Sequence, residues 1–400
     1  MIEATVTEYE SVSLAMPAAS ARALARHPAA GLTVTPGEHE GLWNVRASSR
    51  VGVITAGEVR LAIRPKVPIA SALALMIDAP PGEKWLDEDA PLDEATDLLR
   101  LVVHAFAVSL DRAMARGLCR EYIEQRDELI GVRGRIDMAR IARRPFAGTG
   151  LPCTFDEFTA DTSLNRLLLA AIERSARAAS VPGADRTLLR RCQAALDGVG
   201  RDGDPLAWYA TWTPTRRDMH FARAARLAAL ILRNLTVSDS VGGISAQGFV
   251  VDMNQLVEAF IEARLRVALE GVLEVRGQYG TWLDEDRKVQ IIPDIRLLSG
   301  GRDLLVADIK YKVVGSLEQA SNSDIYQATA YASSMGLTDA VLITCGPEHD
   351  GARRVTLRHS GIRLHLFPVH LAGDNANLRR QVGAVADHLA ALAFEPEMVG

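Results

Sequence analysis

The chain has 400 residues, 48% hydrophobic and 24% charged, which suits a globular protein of two or three domains with real cores. Its formal net charge of −5 excludes a chain that binds nucleic acid by bulk charge, so any DNA contact must come from local basic patches. Four cysteines without CxxC spacing (Cys119, Cys153, Cys192, Cys345) argue against a disulfide framework or a zinc site and favour a reducing compartment.

The opening residues include Glu3, Glu8 and Glu10, with no basic start or long apolar core, unlike a signal peptide. No apolar run approaches the length of a membrane span, so a cytoplasmic protein without membrane association is expected. From the start to about residue 78, short β-like runs alternate with turn residues, and "VGVIT" and "VRLAIRPKV" flank "AGE" as in a hairpin. A Pro- and Asp-rich stretch, "DAPPGEKWLDEDAPLDEA", then reads as a linker. Residues 1–93 are therefore expected to form a β-rich N-terminal domain with its linker.

Residues 94–245 change to helical spacing. "LLRLVVHAFAVSLDRAMARGL" ends on Gly117 as a C-cap, and "DTSLNRLLLAAIERSARAA" begins with Asp161 or Thr162 as its N-cap. "RRDMHFARAARLAALILRNL" reads likewise. Between them "CREYIEQRDELIGVRGRIDMARIARRP" carries many arginines interleaved with Glu121, Glu124, Asp127, Glu128 and Asp137. That pattern suits either a solvated, ion-paired face or a surface for DNA or a partner.

Residues 246–400 run helix, strand, strand, helix, strand, then further strands and a last helix from about Asn375. The expectation is an α/β domain with a mixed sheet flanked by helices. Its hairpin, "VQIIPDIRLL" and "DLLVADIKYKVV" around Gly300 and Gly301, places charges inside apolar strands. Buried charge is costly unless compensated, and a metal ion is one compensation. Asp308 and Lys310 share one strand face, and a short hairpin brings Asp294 beside Asp308. Two hard oxygen donors with open positions suit Mg²⁺, which takes its other ligands from water and substrate phosphate. Lys310 is placed to stabilise developing charge. Pro293 implies a bend or edge where Asp294 sits. The bland alternative is a surface ion pair between Asp308 and Lys310. Lys312, on the same face, suits either a phosphate contact or a solvated strand end.

Asp294, Asp308 and Lys310 in "PD…DIK" match the PD-(D/E)xK nuclease signature. "YQATAY", with Gln327 and Tyr331 one turn apart, resembles the QxxxY element of the RecB-like branch. Glu258 in "NQLVEAFIE" matches the acidic residue that branch places on its first core helix. Upstream, "VGVITAGEVRLAIRPKV", "GLCREYIEQRDELIGVRGRID" and "CTFDEFTADTSLNRLLLAAI" resemble, in order, segments of the McrC family. McrC is the nuclease component of McrBC-type, modification-dependent (type IV) restriction systems.

The resemblance implies a Mg²⁺-dependent endonuclease with Asp294, Asp308, Lys310, Glu258, Gln327 and Tyr331 in its site. Asp294, Asp308 and Glu258 would be the metal ligands. It further implies an AAA+ GTPase partner of the McrB type, modified DNA as substrate, and a β-rich N-terminal region that contacts the partner with the arginine-bearing middle. The chain has no GxxxxGK[ST] phosphate loop and so supplies no motor. The competing readings are a stand-alone RecB-like repair nuclease and a non-catalytic adaptor of a defence complex.

Overall fold

The computed structural model describes residues 1–27, 30–68, 71–72, 75–76, 98–143, 150–178, 181–241, 244–314, 316–346, 353–371 and 375–394. The expected linker at 78–95 lies outside the described residues. The chain forms two compact units, Met1–Ala95 with Ser238–Gly400, and Thr96–Val237.

The first unit opens with strands β1 (Ile2–Thr7), β2 (Ser11–Ala15), β3 (Leu32–Pro36), β4 (Leu42–Ala47), β5 (Arg50–Ala56) and β6 (Val59–Arg64). The β5–β6 hairpin closes through Gly57 and Glu58, and the φ of +61° at Gly57 is the backbone a two-residue turn of this kind requires. Alternate residues of β6 are buried, and Ile54, Leu61, Ile63 and Val45 pack with Leu24 of the Ala18–Arg26 helix. That helix was not among the expected elements.

In the second unit, helices Leu98–Met114, Ser163–Ala176 and Ala222–Asn234 bury Phe106, Leu167, Leu168 and Phe221. Thr162 caps the second helix by accepting from the Asn165 N–H at 3.2 Å, and Gly117 has φ +105° just past the first. The arginine-rich segment forms strands: β7 (Glu121–Leu129), β8 (Arg135–Ile136) and β9 (Leu151–Thr159) make an antiparallel sheet ordered β7-β9-β8. Its charges pair at the surface, Arg126 with Glu124 and Arg140 with Glu128. Tyr122, Ile130, Val132 and Phe158 are exposed among them.

The chain continues through β10 (Leu235–Val241) into β11 (Ile244–Asp252). β11 runs antiparallel to β5, with Asp252 opposite Arg50, so the first sheet is ordered β1-β6-β5-β11-β10. The remaining strands are β12 (Glu274–Gly277), β13 (Thr281–Trp282), β14 (Gln290–Ile291), β15 (Ile295–Ser299), β16 (Arg302–Val313), β17 (Asp339–Cys345), β18 (Arg354–Thr356) and β19 (Arg363–Val369). Six of them form a mixed sheet ordered β12-β15-β16-β17-β19-β18. It is parallel across β16, β17 and β19 and antiparallel at both sides. Helices Met253–Ala268 and Asn322–Ser334 both pack on β16, and Asn375–Ala393 packs on the first of them. The expected α/β architecture with a mixed sheet is present. Every residue of β17 is buried, and between Asp339 and Thr344 it reads as the continuous apolar run Ala340–Ile343.

Candidate active site

Pro293 has no N–H to give a ladder, and the chain leaves β14, which pairs only with β13, at Ile291 and enters the six-stranded sheet at Ile295. Ile295 pairs with Ala307, so the next residue out, Asp294, faces Asp308. The turn between β15 and β16 has φ of +57° at Gly300 and +80° at Gly301, which glycine alone adopts without strain. Asp294 Oδ2 accepts the Ile309 N–H at 2.8 Å, which holds the carboxylate against β16.

Asp308 is 1% exposed. Lys310 Nζ lies 2.8 Å from its Oδ2, an ion-pair contact, yet neither carboxylate oxygen accepts a hydrogen bond within the described residues. Burial first, then the charge of Asp294, push the Asp308 carboxyl up to about 7 against the opposing pull of Lys310. Burial works against the Lys310 ammonium, but Asp308 and Asp294 outweigh it and hold its pKa above the ordinary lysine value.

Glu258 sits on the Met253–Ala268 helix, which Asp252 caps by accepting the Asn254 N–H at 3.0 Å. It is half-buried, and burial followed by the Asp294 charge pushes it up to about 7. Gln327 and Tyr331 lie on the Asn322–Ser334 helix. The Gln327 amide donates to Tyr331 Oη at 2.6 Å, and Tyr331 Oη donates to the Ile292 carbonyl at 3.2 Å. This relay braces the backbone two residues before Asp294. The fold thus gathers Asp294, Asp308, Lys310 and Glu258 into one electrostatic cluster and puts Gln327 and Tyr331 behind it. Lys312 instead pairs with Asp324, at 2.7 and 3.0 Å.

Two contributors carry no sequence signal. Gln278 has φ +49°, a strained backbone for a side chain, and its N–H donates to the Asp294 carbonyl at 3.0 Å. Its amide also donates to Asp294 Oδ1 at 3.1 Å. Glu8, fully buried, accepts from Tyr311 Oη at 2.6 Å and from the Lys66 N–H at 2.6 Å. Tyr311 follows Lys310 directly, so a residue of the first strand region anchors the strand that carries the lysine.

A divalent cation fits the donor set. Three carboxylates and one ammonium leave two negative charges uncompensated when all are ionised, and Asp308 presents two buried oxygens that accept no hydrogen bond, one of them facing Lys310. Among the described residues no group of three or more His, Cys, Asp or Glu is disposed to hold a metal by itself. Two direct carboxylate ligands with the remaining positions left to water and phosphate is the pattern Mg²⁺ favours. No helix among the described residues is long and apolar enough to cross a membrane.

Fold and site together define an α/β chain whose sheet displays a carboxylate pair and a lysine, with a third carboxylate on the helix packed against it. A family model described as McrBC 5-methylcytosine restriction system component matches residues 45–344, and the chain belongs to that family. The resemblance to McrC drawn from the motifs is thereby borne out. A chain of a solved Thermococcus gammatolerans assembly, described as a half-complex of a tetradecamer of McrB AAA+ hexamers with bound McrC, has a similar fold. Its TM-score is 0.56 at 20% identity, over 96% of this chain and 100% of that one. A chain of the Thermococcus gammatolerans McrBC complex is 24% identical over 67% of this chain and 88% of that one, with a TM-score of 0.44. No curated protein matched.

Proposed function

We propose that the chain is the Mg²⁺-dependent DNA endonuclease of an McrBC-type restriction complex, with a PD-(D/E)xK site at Asp294, Asp308 and Lys310. The observation that carries this reading is Asp308, a buried carboxylate left without hydrogen bonds beside Asp294, in a cluster that carries two net negative charges when all its groups are ionised. Asp294 and Asp308 would ligate the cation directly, with Glu258 supplying the third negative charge. When bound, such an ion acidifies an attacking water and neutralises charge on the phosphate. Lys310, fixed by its ion pair, adds a positive charge where the transition state gains a negative one. The relay from Gln327 through Tyr331 to Ile292, with Gln278 on the other side, holds Asp294 at its distance from β16.

The family's description names 5-methylcytosine, and the related assembly joins McrC to AAA+ hexamers, so modified DNA and a GTPase of the McrB type are the proposed substrate and partner. In the second unit, Ile130, Val132 and Arg133 lie on the connection from β7 to β8, Arg135 begins β8, and Tyr122 and Phe158 form an exposed pair at the other end of β7. Exposed apolar groups with arginines nearby suit a protein contact, so this surface joins the N-terminal region as a candidate for docking the GTPase and stimulating its turnover.

The test is cleavage of methylated and unmodified DNA by the purified chain with and without the GTPase, in Mg²⁺ and in chelator. Cleavage that needs Mg²⁺, the partner and the modification is expected. Undiminished cleavage in chelator would remove the metal from the mechanism.

A further inference from the structure

We propose that a cleft between β19 and the Asn375–Ala393 helix is a nucleotide-binding site, separate from the Asp294–Asp308 cluster. The cleft has a volume of about 710 Å³, within the range of small-molecule sites. Arg353 and Arg354 stand at one side, His370 and His388 at another, and Phe367 and Val385 provide apolar surface. No described residue that lines it is acidic. A cationic rim over an aromatic and aliphatic interior suits a ligand with a phosphate at one end and a flat, apolar-faced ring at the other. A nucleotide has both.

The walls are fixed in place. Gln381 accepts the His370 N–H at 2.6 Å and donates to the His370 carbonyl at 2.9 Å, which ties the end of β19 to the helix. His365, deeper in the cleft, is held by Asp339 at 2.7 Å. The Phe367 and His388 rings lie 5.4 Å apart at 50°, and His388 Nδ1 donates to the Ala384 carbonyl at 2.7 Å. That leaves Nε2 as the remaining polar atom of a ring set beside the phenyl face. Arginine forks bind phosphate oxygens in pairs, and aromatic faces accept any base without sequence preference.

The cleft shares a sheet with the carboxylate cluster. Lys310 pairs with Thr344 and Thr344 with Pro368, which lines the cleft, so the two sites are two strands apart, roughly 10 Å at the usual strand spacing. The shared chemistry is a nucleoside monophosphate unit, either within a DNA strand or free in solution. Binding there is independent of phosphodiester hydrolysis and would persist in a chain that cuts nothing.

The test uses the full chain in chelator, so that cleavage plays no part. Fluorescence anisotropy follows a short single-stranded oligodeoxynucleotide, and calorimetry follows deoxycytidine monophosphate and inorganic phosphate. Arg354→Glu and His388→Ala, each with unchanged circular dichroism, should weaken binding by about tenfold, while Arg354→Lys should retain most of it. Both substituted residues are exposed, so if one variant folds poorly the other reads the same site. Binding of the oligonucleotide alone assigns the site to a DNA strand, and binding of both assigns it to free nucleotide as well. The proposal falls if neither binds, if the variants bind like wild type, or if inorganic phosphate displaces the probe as well as the nucleotide does.

Discussion

Asp308 on β16 and Asp339 on the adjacent β17 are carboxylates at similar depth in one sheet, 1% and 5% exposed, and they behave in opposite ways. Burial disfavours ionisation in both. Around Asp339 it is outweighed by donors: Arg363 contributes two hydrogen bonds at 2.7 and 2.6 Å, His365 one at 2.7 Å and Thr338 one at 2.8 Å. Together they hold Asp339 well below the ordinary carboxylate range. Asp308 has one ammonium nearby and no hydrogen bond, and its carboxyl is pushed up to about 7. Depth alone therefore does not set the state of a buried carboxylate. The donors around its oxygens do.

Removing each carboxylate breaks the comparison most directly. Asp339→Ala leaves Arg363 and His365 without their partner and should cost about 3 kcal/mol, the low end for broken buried pairs, because the Arg363 side chain is 34% exposed. Asp308→Ala should leave the denaturation midpoint close to wild type and lower DNA cleavage by about 10³-fold, several kcal/mol of barrier. Chemical denaturation and cleavage rates on the same preparations read both. Equal destabilisation by the two substitutions would mean that Asp308 is structural.

The lysine sharpens the contrast. Arg363 and its neighbours satisfy one carboxylate, whereas Lys310 stands among three, Asp294, Asp308 and Glu258. Lys310→Ala should therefore bind Mg²⁺ at least as tightly as wild type, since three carboxylates remain, while turnover falls by about 10²- to 10³-fold. Calorimetric metal titration beside single-turnover cleavage separates the two. Loss of metal affinity would make Lys310 a structural counter-ion.

The candidate cluster was more legible in the sequence than the satisfied one. Asp294, Asp308 and Lys310 interrupt apolar strands, and a charge inside an apolar run is visible without a structure. Strand alternation and a Gly-Gly turn then suffice to bring them together. Asp339 stands at a strand start, where an acid draws no notice, and its two charged or ring donors, Arg363 and His365, are distant in sequence. Pairing between far-apart strands leaves no local pattern either. For that reason the return of β11 to β5, and the contact of Glu8 with Tyr311, could not be read from composition or period. The arginine-rich segment between the helices carries charges of both signs at irregular spacing, which hides its β period.

The two aspartates should also answer pH in opposite directions. Asp308 and Glu258 hold protons up to about pH 7 in the folded chain, while in the unfolded chain they release them near the ordinary carboxylate values. Their contribution to stability is thus complete at acid pH and is lost as pH rises through about 7. Asp339 contributes above the ordinary carboxylate pKa and loses its contribution as pH falls further. In chelator, the thermal midpoint should decline between about pH 4.5 and 7.5 and level off above that, and Mg²⁺ should restore much of it at pH 8 by compensating the two unbalanced charges. Asp308→Asn should flatten that decline. A wild-type midpoint that rises steadily over the same interval in chelator would contradict the raised carboxyl values.

The smallest effect belongs to Gln278, which supports Asp294 much as Thr338 supports Asp339. Its φ of +49° costs about 1 kcal/mol in a residue with a side chain, and that strain persists because both its N–H and its amide hold Asp294. Gln278→Gly relieves the backbone strain and removes the amide donor, so its two consequences have opposite signs. Thermal stability should stay level or rise slightly, while Mg²⁺ affinity falls by about tenfold, the lower range for losing a partner of a metal ligand. Gln278→Asn tolerates the same backbone and keeps an amide, though a shorter one, and should lie between glycine and wild type in affinity. Calorimetry with Mg²⁺ beside thermal melts decides it. If Gln278→Gly loses stability and keeps its metal affinity, the residue serves the fold of the β12–β13 connection, and Asp294 owes its position to Ile309 and the Tyr331 relay alone.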